Sequence, residues 1–255
     1  MVKVILLKNG ERSMSRFFEP GKENVFQLFS PAHIVTLLVF LLFIFLLFFF
    51  RKRLREPGIN QAARISLFLV LVLSEVSLQV WLWWSGYWTY QYSLPLHLSS
   101  ISLILSAVLL LTKQYRLFEF TYFVGVGSAL QAMITPDISL YTFPHYRYVH
   151  FFVSHGGTVV ANLFMVFVEG YRPTRKSIWR AFLWLNAYTV VVFIVNFLIE
   201  GNYMYISEKP VNPSLIDYLG PWPWYILSLE AIALVTFAIL YVPFWLKERK
   251  ALPSK

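Results

Sequence analysis

The sequence predicts an all-α integral membrane protein, a polytopic bundle of seven transmembrane helices. Three observations carry that prediction. Of 255 residues, 58% are hydrophobic. Only 14% are charged, against about 25% in soluble domains, too few to cover a water-facing surface. Apolar runs long enough to cross a hydrocarbon core of roughly 30 Å recur along the chain.

The first run, Ser30–Phe50, opens with Ser30 as an N-cap and Pro31 at the first helical position. The others are Arg64–Ser85, Leu94–Thr112, Leu117–Thr135, Tyr148–Val168, Ser177–Ile199 and Pro221–Leu246. The fourth is the least regular: it carries Glu119 and two glycines, and Pro136-Asp137 stops it. Its Gly125, Ser128, Ala129 and Ala132 form a small-residue side that permits close helix approach.

Charge sets the expected orientation. The net charge is +9, and 15 of the 22 basic residues fall on one side if every run crosses. They include Arg51–Arg55, Lys113, Arg116, Arg172–Arg180 and Lys247–Lys255; the opposite loops hold only Arg147 and Lys209. An excess of Lys and Arg marks the cytoplasmic side, so the N-terminus is expected outside and the C-terminus inside. Lys3, Lys8, Arg12, Arg16 and Lys22 work against this reading, and residues 1–13 could be an extension upstream of Met14. The expected organisation is an extracytoplasmic tail (1–29), a membrane domain (30–246) and a basic cytoplasmic tail (247–255), in a multi-pass cell-membrane protein. The basic runs adjoin apolar runs, so the expected partner is membrane phospholipid rather than nucleic acid.

Polar groups at membrane depth are costly and usually face the bundle interior. Glu75 lies about 15 Å inside the outer end of the second run at helical rise, with Gln79 one turn further out. Glu230 is at similar depth in the seventh run. His97 and Ser100 share a face of the third. In the fifth, His155, Thr158 and Asn162 form a stripe, with His150 and Ser154 nearby. Asn186, Thr189, Asn196 and Glu200 group on the sixth, and Gln131 sits one turn inside the fourth. Most of these fall in the outer half, which predicts a polar pocket open to the outside or the outer leaflet. Trp222 belongs to an aromatic group that forms either an interfacial belt or a stacking surface. The competing reading of the buried amides and hydroxyls is hydrogen bonding that holds the helices together.

Several chemistries have no support. With no cysteine there is no disulfide, thiolate ligand or cysteine nucleophile. There is no Gly-rich phosphate loop, GxSxG elbow or HExxH, so no nucleotide or cofactor is expected. A zinc site on His97, His155 and a carboxylate is the weaker reading: His150 and His155 are about 140° apart on a helix and share no face.

Leu94-Pro95-Leu96-His97-Leu98-Ser99-Ser100, Gly125–Ala132, Thr135-Pro136-Asp137, Phe143–Arg147, His150–Gly156 and Leu219–Tyr225 together resemble the YwaF-type bacterial integral membrane proteins. The opening Phe29–His33 also fits. That family is similar to a eukaryotic transmembrane lipid acyltransferase family whose cysteine lies in an Asn-Pro-Cys-His segment. The matching stretch here is Leu94–His97, with Leu96 at the cysteine position. The resemblance implies lipid chemistry, without that nucleophile.

The leading expectation is a membrane protein that holds a lipid or amphipathic ligand in an outward polar pocket. Acyl transfer or hydrolysis would use His155 or His97 as general base, with Glu75 orienting or charge-balancing it. Gln79, Ser100, Gln131, His150, Ser154, Asn196, Trp222 and Glu230 are expected to line the ligand. The alternatives are a proton-coupled transporter using Glu75 and Glu230, and a non-catalytic scaffold.

Overall fold

The computed structural model describes residues 17–19, 25–138, 140–210 and 215–251. Among these residues the regular structure is entirely helical. Helix α1 spans Pro31–Phe49, with Ser30 accepting the His33 N–H at 3.5 Å as N-cap. A 3-10 turn, Phe50–Arg55, leads into α2, Pro57–Trp84. α2 starts two turns before the expected Arg64. Those turns are polar and lie against the next helix: Arg64 donates to the Leu110 carbonyl at 2.6 Å and to Asn60 at 3.0 Å.

Helix α3, Leu98–Thr112, has 15 residues, about 22 Å at helical rise. It is shorter than the expected run because residues 94–97 are held by a loop instead. The Leu94 N–H donates to the Tyr203 hydroxyl at 2.8 Å, and the Leu96 carbonyl accepts from Tyr188 at 2.9 Å. α4 spans Tyr115–Ile134 and contains a π-helical turn at Thr121–Gly125. α5 is Tyr146–Phe167, α6 Arg175–Ile199 and α7 Trp224–Ala251. Among the described residues six helical segments are long and apolar enough to cross a membrane, and α3 is a shorter apolar helix. α7 runs through residues 247–251, so the expected separate basic tail begins as helix. Residues 1–13, Met14 and residues 252–255 lie outside the described residues.

α5 is the hub: it packs against α1, α2, α3 and α4. Its inward face buries Tyr148, Phe152, Val159, Phe164 and Met165. α1 instead turns Leu38, Leu41, Leu42, Phe43 and Phe45 outward, as a lipid-facing helix does. Gly157 makes the contact between α5 and α2 possible, since a Cβ there would sit 2.9 Å from the Leu71 side chain.

Hydrogen bonds gather the basic residues at one end of the bundle. Lys113 pairs with Glu169 at 2.9 Å, and Asn60 donates to the same carboxylate at 2.7 Å. Arg55 donates to the Phe167 and Val168 carbonyls, which the end of α5 leaves without helical partners. Glu119, which interrupted the expected fourth run, is buried near this end, where Ser177 and Arg180 donate to it. At the other end the Phe18 carbonyl accepts from Trp81, and the Glu19 carbonyl from His145.

Two predictions follow from this clasp and this arrangement of ends. Burial disfavours the Glu169 charge, but hydrogen bonds from Lys113 and Asn60 outweigh it and hold the carboxyl below its ordinary range. A carboxylate depressed in the folded state stabilises above its unfolded value, about 4.3, and that contribution is lost as pH falls below it. Thermal unfolding of the parent should therefore lose stability on acidification below that value, and Glu169→Gln should lose less over the same interval. Orientation can be read with single cysteines, because the chain has none of its own. In intact cells Ser207→Cys should react with an impermeant thiol reagent and Gln114→Cys should not; the opposite pattern would invert the bundle.

Candidate functional site

Away from the basic end, α2 to α7 enclose a cavity of about 840 Å³. Glu75 and Gln79 enter from α2, Ser100 from α3, Gln131 from α4, His150, Ser154 and His155 from α5, and Glu230 from α7, with His97 at the start of α3. Asn196 and Trp222 do not line it. Asn196 is buried and brackets the Tyr203 backbone, donating to its carbonyl and accepting its N–H, both at 2.9 Å. It thereby fixes the loop whose Met204, Tyr205 and Ile206 form part of the mouth. Trp222 is exposed and donates to the Ile206 carbonyl at 3.2 Å.

Helix irregularity shapes the floor. The π-helical turn ends at Gly125, a kind of insertion common at functional sites. A Cβ on Gly125 would stand 3.2 Å from Ser102 and 3.3 Å from Thr158, so only glycine lets these three elements meet there without displacement. The Ser102 hydroxyl is buried on the cavity wall and has no hydrogen-bond partner among the described residues. Below the floor, Asn162 donates to Ser106 at 3.0 Å and to the Thr158 carbonyl at 2.9 Å, while Thr121 reaches its side-chain oxygen at 2.7 Å. Asn162 and Thr121 are fully buried, and this network closes the polar stripe of α5.

Hydrogen-bond accounting separates the five histidines. His33 accepts the Phe29 N–H and donates to the Met133 carbonyl. His145 accepts the Arg147 N–H and donates to the Glu19 carbonyl. His150 donates to the Ser74 carbonyl at 3.1 Å and faces Arg147 Nη1 at 3.3 Å through Nδ1. Both nitrogens of these three rings are engaged. Among the described residues, His155 and His97 each use only one.

A carbonyl can only accept, so the 2.7 Å contact of His155 Nδ1 with Phe151 O places the proton on Nδ1. Nε2 of the neutral ring then carries a lone pair. At His97 the Met204 N–H donates to Nδ1 at 3.3 Å, so the proton of that neutral ring is on Nε2. The two rings thus offer opposite functions, an acceptor on His155 and a donor on His97. Ser154 donates to the Phe151 carbonyl at 3.0 Å and lies 3.3 Å from the Nδ1 side of His155, not the side where a base would activate a nucleophile.

Glu75 does not orient a histidine, contrary to the sequence expectation. Its carboxylate accepts from Gln79 at 3.1 Å and lies within electrostatic range of Arg147. Gln79 is itself fixed by Ser93 and Trp88. At the mouth, burial and the neighbouring Asp137 push the Tyr205 hydroxyl up to about 12, and it donates to Asp137 at 3.3 Å.

Arg147 was counted in the sequence as a loop charge, yet it lines the cavity at the first turn of α5. The neutral His150 ring holds it, and the Trp81 and Tyr141 rings lie 5.7 and 5.9 Å away. The ion pairs among the described residues, Lys113–Glu169 and Arg180–Glu119, do not include it. The available signal was the alternation of His145, Arg147 and His150 at a helix start, which only the three-dimensional pairing makes readable. No cluster of three His, Asp or Glu suited to a metal occurs among the described residues.

These features define a multi-pass helical membrane protein with a largely apolar cavity, studded with polar side chains, away from the basic end of the bundle. Residues 28–241 match the model of the TMEM164 family, and the chain belongs to that family. No curated protein matches it, and no solved structure does.

The cavity is directly testable in the cysteine-free background. Ser100→Cys should react with a small neutral thiol reagent in detergent, whereas Ser106→Cys, fully buried below the floor, should stay at least about tenfold slower. Equal rates would mean that the polar residues do not face an open cavity.

Proposed function

We propose that this protein binds a phospholipid or related amphipathic ester in the cavity and transfers or hydrolyses its acyl chain. The observation that supports this most is the opposed protonation of His155 and His97 on one cavity. The match of Leu94–His97 to the Asn-Pro-Cys-His segment of a lipid acyltransferase family points the same way, with Leu96 ruling out its cysteine route.

His155 Nε2 serves as general base. It takes the proton of a water or of a lysolipid hydroxyl as that oxygen attacks the ester carbonyl carbon. The carbonyl π pair moves onto its oxygen, which accepts a hydrogen bond from His97 Nε2–H. The tetrahedral intermediate collapses, the ester C–O bond breaks, and the proton on His155 passes to the departing alkoxide. Arg147 supplies a cation for the phosphate of the lipid, and Glu75 keeps that guanidinium from being an isolated charge. The expected location is the cell membrane, with the cavity open to the outer leaflet.

A transporter using Glu75 and Glu230 is less well supported. The cavity floor is backed by the paired Asn162–Thr121–Ser106 network and by buried Phe123, Leu109 and Leu110, and among the described residues its lining does not extend to the basic end.

Purified protein incubated with mixed phospholipids and lysophospholipids should exchange or release acyl chains, read by mass spectrometry. His155→Asn should reduce turnover at least about 100-fold. His97→Ala, which removes the donor, should reduce it about 100- to 1,000-fold, and Arg147→Gln should mainly raise KM. An inactive parent, or full activity in His155→Asn, would remove the catalytic reading.

A further inference from the structure

The opposite, basic end of the bundle holds a second concavity of about 340 Å³ between α1, α4, α5 and α7. Arg51, Arg55, Arg172 and Lys247 line it, and no carboxylate does. Neither ion pair among the described residues involves any of the four. Glu248, the acidic residue next to Lys247, accepts instead from Tyr241 at 2.9 Å. The remaining wall is largely apolar, with Phe48, Phe167 and Phe244 prominent.

The cations are placed by the fold rather than scattered over it. Arg51 donates to the Phe48 carbonyl and lies over the Phe48 ring, 3.9 Å from its centroid. Arg55 donates to the Phe167 and Val168 carbonyls at the end of α5. Both guanidinium groups keep most of their five N–H donors for another acceptor. Gly170, at φ +79°, turns the chain sharply after α5 and brings Arg172 to the same rim. A general basic bias at one end accounts for Lys52, Arg53, Arg116 and Lys176, which do not line the groove. It does not account for four cations, outside the ion pairs of the described residues, converging on an aromatic hollow.

We propose that this groove binds the headgroup phosphate of an anionic phospholipid from the leaflet at the basic end, with an acyl chain along Phe48, Phe167 and Phe244. The chemistry is that of basic pockets between transmembrane helices, which hold anionic headgroups. The apolar wall favours a lipid over a free phosphate ion. The site is at the far end from the proposed catalytic cavity and does not depend on that reading.

The test uses the full chain in neutral detergent, titrated with phosphatidylglycerol, phosphatidylcholine or inorganic phosphate. Thermal unfolding and native mass spectrometry report binding. Phosphatidylglycerol should raise the Tm further than phosphatidylcholine does and be retained more through delipidation; inorganic phosphate should do neither. Combined Arg51→Gln and Lys247→Gln should weaken phosphatidylglycerol about tenfold or more. Arg116→Gln with Lys176→Gln, the same charge loss outside the groove, should leave it unchanged. Lys247→Glu alone, at an exposed position, gives a second reading if the double variant folds poorly. Equal losses in the two double variants would overturn the proposal in favour of diffuse charge. An equal Tm shift with inorganic phosphate would overturn it in favour of a free-ion site, and retention of phosphatidylglycerol no greater than phosphatidylcholine would overturn it outright.

Discussion

Inside hydrocarbon an unpaired polar group has no water to turn to, and leaving one unsatisfied costs several kcal/mol. α5 carries His150, Ser154, His155, Thr158 and Asn162 through the centre of the bundle; Ser154, His155 and Thr158 bond to carbonyls of α5 itself, and its neighbours answer the other two. α2 supplies the Ser74 carbonyl for His150, α3 supplies Ser106 and α4 supplies Thr121 for Asn162. Individual bonds of this kind are worth about 0.6 kcal/mol and rarely above about 1.7. Their value lies in register: a quarter-turn rotation of α5 would strand several polar groups together. The same accounting shows what is left over. Once the structural bonds are made, His155 Nε2, the Ser102 hydroxyl and most of the Arg147 guanidinium still have capacity, and all three groups border one cavity.

That cavity exists because two helices depart from regularity. α3 is short, so residues 94–97 form a turn, a lip that sets His97 on the cavity wall. α4 contains the π-helical turn that sets Gly125 against Ser102 and Thr158. A straight α4 and a full-length α3 would allow closer packing and less open space between helices. Both departures are stabilised elsewhere, the lip by Tyr188 and Tyr203 and the mouth loop by Asn196. The basic end shows the converse, with helices drawn together by Glu169, Glu119 and the carbonyls at the end of α5. The bundle is thus tied at one end and open at the other.

Much of this architecture is legible in the sequence, for a physical reason. Crossing a membrane demands long apolar runs, and six of the seven expected runs appear as helices of sufficient length. The outer-half polar residues also stand out, because polarity in such a run is expensive; nine of the eleven residues singled out line the cavity. The failures have a common cause. Arg147 reads as a loop charge, since a sequence shows its position at a helix start but not that His150 turns it inward. Asn196 reads as a ligand group, yet it spends its amide on the Tyr203 backbone, seven residues further along the chain. Glu75 reads as a partner for histidine, but the Phe151 carbonyl, one turn before His155 on the same helix, already orients that ring. Backbone partners are invisible to any argument from residue types. The π-helical turn carries no distinctive composition either, beyond the glycine at its end.

The account turns on the division of labour between two neutral imidazoles, and nitrogen NMR observes it directly. Protein labelled with 15N-histidine and reconstituted in bilayers at neutral pH would give ring-nitrogen resonances, assigned by their loss in single His→Asn variants. Protonated and unprotonated ring nitrogens are well separated in such spectra. The structure predicts a proton on Nδ1 of His155 and on Nε2 of His97. If His155 instead carries its proton on Nε2, or both rings are doubly protonated, His155 has no lone pair to offer the cavity and the proposed base is lost.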